Sequence, residues 1–246
     1  MDAQQLFKAG KLTEAIPALS AILRDKPSDV RSRTFLFELL CFAGEYDRAE
    51  KQLAILQEDS DQNSMLGGLL YRAALAAERT RQEMFAAQSF PKQSADVGVA
   101  APIKGKLNGK EFQSLTDADP RIGDKLEVFA AGDYLWLSYS DINSIKIESP
   151  KKLRDLLWAP ARIVATPALQ SRELGEVLLP VISPLSWQHQ DDDVRLGRAT
   201  EWCEDGDGGE MPYGQKTLLV DGEEIAFLEI RDLEIYDAAS SQLATA

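Results

Sequence analysis

The sequence holds a single histidine, and a run of carboxylates follows it. His189 stands two residues before Asp191, Asp192 and Asp193. An imidazole with neighbouring carboxylates occurs in metal sites and in general-base catalysis. Zinc sites, however, usually take several His or Cys ligands, and consecutive aspartates in a strand point to alternate faces. We therefore interpret the run as a solvated acidic loop, and we keep a metal-dependent hydrolase using these four residues as the alternative function.

Three further segments contain reactive residue types without the spacing that a reactive site needs. The acidic segment DGDGGE (205–210) places its last glycine and its glutamate too early for a twelve-residue calcium loop. The segment DADPRIG (117–123) predicts a structured turn in which Arg121 clamps an aspartate. Cys41 lies in an apolar helical stretch far from Cys203, so no thiol nucleophile or cysteine metal knuckle is predicted. The sequence has no nucleotide-binding or hydrolase motif and predicts neither an enzyme nor a cofactor.

Composition and charge restrict the class of protein. The 246 residues are 44% hydrophobic and 27% charged, which is typical of a chain with a packed core. No apolar run reaches the roughly 20 residues of a membrane helix, and the N-terminus has no secretory-signal pattern. We therefore expect a cytoplasmic protein without membrane insertion. The net charge is −13, and residues 191–246 hold 15 acidic and four basic side chains, which disfavours nucleic-acid binding.

The N-terminal part of the chain carries a repeat with a period of 34 residues. Gly10 recurs as Gly44, and four apolar or small positions after it agree in the same register. This is the pattern of a tetratricopeptide hairpin, which has a small residue at the turn, another at the helix crossing and large apolar residues between them. We predict a tetratricopeptide-like domain over residues 1–87, with a truncated first helix and a capping helix over about 63–87.

A linker and a mostly β domain are predicted after the repeats. Residues 88–102 are rich in small residues, proline and glycine and have no helical period, which is typical of a linker. Over residues 103–246 the hydrophobic period shifts towards two. The predicted fold class is therefore α+β, with tetratricopeptide-like helical repeats followed by a mostly antiparallel β C-terminal domain with a short helix.

Local signals place the elements of this second domain. The pairs Asn108-Gly109 and Asp221-Gly222 predict hairpin turns. A short helix is expected to begin at Pro150 and to run through KKLRDLL, because proline is favoured at the first helical position. Strands are expected at 126–130, 134–139, 161–166 and 175–182.

Five ordered blocks of the second half resemble the ImpE family. They are DADPRIG (117–123), LEVFAAGDYLWL (126–137), SPKKLRDLLWAPAR (149–162), RLGRATEW (195–202) and YGQKTLLVDGEEIAFLEIRDLEI (213–235). Members are also called TagJ or SciE-type proteins and are accessory components of bacterial type VI secretion systems. The resemblance implies an adaptor that binds the N-terminal helix of the small contractile-sheath subunit and influences how the unfoldase handles the sheath. It implies no catalytic residues.

The helical register predicts which residues would receive such a partner helix. Six side chains fall on the side that is concave in arrays of these repeats: Phe35, Glu38, Phe42, Met65, Leu69 and Arg72. In the functional interpretation they form an apolar groove for an amphipathic helix, with Glu38 and Arg72 setting its direction. In the alternative interpretation the short array packs this face against its own second domain. A third possibility is that the repeats form a dimer interface.

Overall fold

Helices form the first third of the chain, and all the described strands follow them. The computed structural model describes residues 1–58, 62–91, 102–167, 174–204 and 209–236, without the side chains of residues 58 and 62–66. The described part contains six α-helices: α1 (Ala3–Lys8), α2 (Leu12–Asp25), α3 (Val30–Phe42), α4 (Tyr46–Glu58), α5 (Gln62–Ala86) and α6 (Asp192–Arg195).

Thirteen strands lie in the described residues from 102 onward, which form the second or β half of the molecule. They are β1 (Gly105–Leu107), β2 (Lys110–Phe112), β3 (Leu115–Asp117), β4 (Lys125–Ala130), β5 (Asp133–Ser138), β6 (Ile142–Ile147), β7 (Trp158–Ala165), β8 (Glu176–Pro180), β9 (Thr200–Glu204), β10 (Glu210–Gly214), β11 (Thr217–Val220), β12 (Glu223–Ala226) and β13 (Asp232–Ile235). Short 3-10 helices at Tyr139–Asp141, Leu153–Leu156, Ser186–Gln188 and Phe227–Glu229 connect some of them.

Two helical hairpins and a long fifth helix make up the first third. A glycine with positive φ closes the turn of each hairpin, Gly10 at 76° and Gly44 at 71°. Glycine adopts this region without the strain that a Cβ would bring. The short α1 begins at the cap formed by Asp2, whose carboxylate accepts the Gln5 N–H at 2.8 Å. The truncated first helix is confirmed, and α5 lies where the capping helix was predicted.

The main β-sheet has eight antiparallel strands in the order β2-β1-β13-β6-β7-β8-β4-β5. A three-stranded sheet (β12-β11-β3) and a two-stranded ribbon (β10-β9) complete the β structure. In β6 the buried residues are Ile142, Ile145 and Ile147, and a bulge between Ile142 and Ser144 resets the two-residue alternation. The predicted α+β class with a mostly antiparallel second half is confirmed.

Local signals in the second half had different outcomes. Asn108-Gly109 and Asp221-Gly222 both have positive φ and join adjacent antiparallel strands, as predicted. The helix expected from Pro150 is wrong in extent. Only one 3-10 turn forms at Leu153–Leu156, because the chain enters β7 at Trp158, where it pairs with β8.

Other predictions about the chain's organisation stay predictions. Most of the expected linker (92–101) and most of the acidic DGDGGE segment (205–208) lie outside the described residues. The boundaries 1–87, 88–102 and 103–246 therefore stay a prediction. No helix in the described ranges is both long and apolar enough to span a bilayer.

One hydrophobic core joins the two halves of the molecule. Buried side chains of α1 to α5 pack together with Phe129, Leu157, Trp158 and Leu196 from the second half. The indole N–H of Trp158 donates a hydrogen bond to Glu78 Oε2 at 2.8 Å, so its polar atom is also satisfied inside this core. A second core lies within the β structure. The helical layer and the sheet are thus packed as neighbours rather than held apart.

Candidate functional site

Two of the three predicted groove residues on α3, Glu38 and Phe42, face the protein's own second half. Phe42 is only 2% exposed and belongs to the core that also holds Trp158. Glu38 is buried as well, and the Tyr71 hydroxyl donates to its Oε1 at 2.9 Å. Burial raises the pKa of Glu38 above its usual range. The guanidinium of Arg154 lies 5.0 Å from the centre of the Tyr71 ring, so a segment of the β half covers this face.

The remaining residues of the predicted groove lie apart from these two. Phe35 is half-buried and meets the ring of Phe7 edge-on, with 5.5 Å between the ring centres. Leu69 is 57% exposed, and Arg72 is exposed and donates to Gln57 Oε1 at 2.6 Å.

The side chain of Met65 lies outside the described residues. The five described side chains therefore do not form one continuous open groove, because the second half of the chain packs against Glu38 and Phe42. Partner binding by those of the six that are accessible stays a prediction.

The histidine and aspartates that suggested a metal site make local structural contacts. Asp191 caps α6 by accepting the Asp193 N–H at 2.8 Å, and its own N–H donates to His189 Nδ1 at 3.1 Å. Asp192 accepts the Thr13 N–H at 2.7 Å and the Thr13 hydroxyl at 2.9 Å. Within the described residues, no cluster of three or more His, Cys, Asp or Glu side chains is placed to hold a metal ion.

The contact between Asp192 and Thr13 supplies α2 with a cap from a distant part of the chain. Lys11, at the N-cap position, makes no side-chain capping hydrogen bond. The Asp192 carboxylate takes over that function and also binds Arg195 at 2.8 Å. A negative charge at a helix N-terminus is favourable because the free N–H groups there carry partial positive charge. The acidic run therefore docks α6 onto the helical layer.

We expect Asp192→Ala to lower the free energy of unfolding by about 1–2 kcal/mol, because it removes a helix cap with charged hydrogen bonds. Urea unfolding measures the change. The matched control is Asp193→Ala, whose half-exposed carboxylate lies 3.6 Å from Arg198 and is expected to contribute less than about 0.5 kcal/mol. Equal losses for the two variants would contradict a specific capping role for Asp192.

A buried charge network joins α5 to the sheet. Arg81 donates two hydrogen bonds to Glu127, from Nε at 2.7 Å and from Nη2 at 3.0 Å. Lys216 also contacts Glu127 and lies 2.7 Å from Asp117. The Tyr134 hydroxyl donates to Glu127 at 2.6 Å. All four charged side chains are almost fully buried.

The network fixes the charge of its central carboxylate. Burial by itself raises the pKa of Glu127, but the attraction of Arg81 and Lys216 outweighs it and holds this pKa far below the usual range. For Asp117 burial prevails over the attraction of Lys216 and raises the pKa to about 6. Two cations and two carboxylates thus compensate one another away from solvent. We interpret the network as the element that positions α5 on the sheet.

An apolar cleft of about 240 Å³ opens on the helical layer between α3, α4 and α5. Among the described residues, a Cβ built on Gly67 would meet no atom within 4 Å, so this part of the structure leaves the cleft open where the helical glycine faces it. Two large apolar side chains of its lining are exposed, Val30 at 60% and Ile55 at 39%. The apolar and aromatic lining consists of Pro27, Val30, Leu53, Ile55, Leu56 and Tyr71.

The sequence does not single out this cleft. Leu69 and Arg72 of the predicted groove lie on α5 but are not among the residues that line the cleft, and its exposed Val30 and Ile55 are not among the six predicted residues. The signal that could have found them is the pair Gly67-Gly68 inside a predicted helix. Each glycine costs a helix about 1 kcal/mol relative to alanine, so two in succession indicate a position where side chains are kept out.

Known proteins similar to this chain cover both of its halves. Residues 109–234 match the family model for ImpE protein, and residues 6–79 match the model for a tetratricopeptide repeat. The type VI secretion system accessory component TagJ of Pseudomonas aeruginosa is 33% identical, over 95% of this chain and 91% of that protein. The predicted tetratricopeptide-like repeat and the resemblance to the ImpE family are thereby confirmed.

A solved structure shares the fold of the whole chain. The crystal structure of protein VPA1032 from Vibrio parahaemolyticus superposes with a TM-score of 0.82 at 20% sequence identity. The superposition covers 97% of this chain and 99% of that one. At this identity the similarity concerns the fold alone. The family match and the similarity to TagJ together show that this chain belongs to the ImpE family.

Proposed function

We propose that the chain is a non-enzymatic adaptor of a bacterial type VI secretion system, acting in the cytoplasm. Its similarity to TagJ, an accessory component of such a system, supports the accessory role. The tetratricopeptide-like repeats favour a protein partner over a small molecule, because solenoid repeats present extended binding surfaces. The proposed partner is the N-terminal helix of the small subunit of the contractile sheath. Through this contact the adaptor influences how the unfoldase handles the sheath.

The observation that carries the proposal is the apolar cleft between α3, α4 and α5. An amphipathic helix binds by placing apolar side chains at i, i+3, i+4 and i+7 into such a cleft. The exposed Val30 and Ile55 of the cleft lining provide apolar surface that a partner can cover. Arg72 stands exposed on α5 and donates to Gln57 of the cleft lining, a contact that a carboxylate of the partner helix would replace. We therefore place the binding site at the open side of the helical layer, beside the face that the second half covers.

We expect Ile55→Asp to weaken binding of this helix at least tenfold, because it introduces a charge into an apolar contact and each factor of ten corresponds to about 1.4 kcal/mol. Isothermal titration of a synthetic peptide of the sheath subunit's N-terminal helix measures the Kd.

Val164→Asp is the matched control, because Val164 is a similarly exposed apolar residue, at 49%, on β7 of the sheet. It is expected to leave the Kd unchanged. Circular dichroism shows whether both variants keep the fold. A folded Ile55→Asp variant with the wild-type Kd would remove the cleft as the binding site.

A further inference from the structure

The hydrogen bond next to the open end of the β9-β10 ribbon shows which of its residue pairs are bonded to each other. The Gln215 N–H donates to Ala199 O at 3.1 Å, and this pair continues the register of the ribbon. In an antiparallel ladder, hydrogen-bonded pairs alternate with pairs that make no bond between them. Tyr213 and Glu201 are therefore bonded to each other, and the backbone N–H and C=O of Trp202 point away from β10.

The two outer edges of this ribbon differ. The outer edge of β10 cannot pair with a further strand at these positions. Pro212 has no N–H, and both the N–H and the C=O of Gly214 are hydrogen-bonded to the neighbouring loop. Its N–H donates to Ser186 Oγ at 2.8 Å, and its carbonyl accepts from the Ser183 N–H at 2.8 Å. In the part of the chain that the structure describes, no group pairs with the outward backbone atoms of Trp202. The edge of β9 is thus open to another strand.

The side chains along this open edge combine an aromatic ring with two carboxylates. Residues directly opposite in an antiparallel pair share a face, and Glu204 stands opposite Glu210. Trp202 lies two residues from Glu204, so its side chain lies on the same face, where it is 37% exposed. Both glutamates are exposed.

This arrangement favours a cationic ligand. Like charges directly opposite in neighbouring strands are destabilising, and a pair that is not hydrogen-bonded brings the two side chains especially close. A lysine or arginine placed between Glu204 and Glu210 would relieve the repulsion. The exposed ring of Trp202 beside them offers a face for the same cation or the next one. An anionic partner would be repelled by Glu204, by Glu210 and by the face of the Trp202 ring.

We propose that the open edge of β9 binds a basic, extended segment of a partner protein by strand addition. The backbone of the segment pairs with the outward N–H and C=O of Trp202, and lysine or arginine side chains at alternate positions lie over Trp202, Glu204 and Glu210. The site lies on the β half, away from the helical cleft, so it does not depend on the sheath helix binding there. It gives part of the acidic segment 191–246 a binding role.

The test uses a blocked ten-residue peptide of alternating lysine and threonine, titrated into the full chain labelled with ¹⁵N. We expect saturable binding, with the largest amide shifts at residues 200–204, and an affinity that falls steeply as salt rises because exposed charges are screened. A peptide with glutamate in place of lysine is expected not to bind. A lysine peptide with N-methyl groups on its edge-facing amides is expected to lose at least a factor of ten, because it cannot pair as a strand.

Matched variants separate this site from the general effect of an acidic protein. Glu204→Gln with Glu210→Gln, and separately Trp202→Ala, are expected to weaken binding at least tenfold. The control double variant, Glu223→Gln with Glu234→Gln, removes the same charge from exposed positions on β12 and β13 and is expected to change the Kd less than twofold.

The double variant at Glu204 and Glu210 is expected to keep or raise the thermal midpoint, since it removes a repulsion, so lost binding does not reflect unfolding. Equal weakening by both double variants would overturn the proposal. Shifts centred away from β9, unchanged binding of the methylated peptide, or no binding of the lysine peptide would do the same.

Discussion

Glu127→Gln is expected to lower the free energy of unfolding by about 3–5 kcal/mol, the typical loss when one partner of a buried ion pair is removed. Glu127 holds both Arg81 and Lys216 in a space that solvent does not reach. Glutamine keeps the size of the side chain but not its charge. The two buried cations then face each other with only Asp117 and Glu78 to compensate them. Urea unfolding followed by circular dichroism measures the loss.

An exposed ion pair of the same sheet is the control for this prediction. Arg162 and Glu176 lie 3.8 Å apart on β7 and β8, and both side chains are largely in solvent. Glu176→Gln is expected to change stability by less than about 0.5 kcal/mol.

Arg81→Met added to Glu127→Gln is expected to recover part of the loss, because it removes one uncompensated charge. A Glu127→Gln variant within 1 kcal/mol of the wild type would mean that the network does not hold α5 on the sheet.

The parts of the fold that were predictable depend on signals within a few residues of one another. Gly10 and Gly44 mark the helical hairpins because a positive φ is needed at each turn. Asn108-Gly109 marks a hairpin for the same reason. The length of the helix after Pro150 was not predictable in this way. Its local pattern favours a helix, but the pairing of Trp158 with a strand more than 20 residues away decides the structure.

The candidate site depended still more on contacts that no local pattern contains. The helical register puts Glu38 and Phe42 on one face of α3, but a helical period cannot say what covers that face. The cover comes from residues around Arg154 and Trp158 in the second half. The buried charge network could not be predicted from a local pattern either, because Arg81 and Glu127 are 46 residues apart in the sequence. Charged residues read from sequence are expected at the surface, and only the fold shows that these are enclosed.

The variant that best separates the cleft from the rest of the helical layer is Gly67→Leu. Gly67 lies inside α5, and no atom of the described residues lies within 4 Å of a Cβ built on it, so a larger side chain enters space that these residues leave open. Leucine is favoured over glycine in a helix by about 0.8–1 kcal/mol. The substitution is therefore expected to keep or raise the free energy of unfolding while it fills the cleft.

We expect Gly67→Leu to weaken binding of the sheath subunit's N-terminal helix about 100-fold, because one leucine occupies the volume that the partner's apolar side chains need. Titration of the synthetic helix peptide gives the Kd, and a thermal melt of each variant confirms that the fold is kept. Ala76→Leu is the control: it adds an exposed leucine on the same helix, away from the residues that line the cleft. It is expected to bind the peptide like the wild type. If Gly67→Leu binds the peptide as tightly as the wild type, the partner helix does not occupy this cleft.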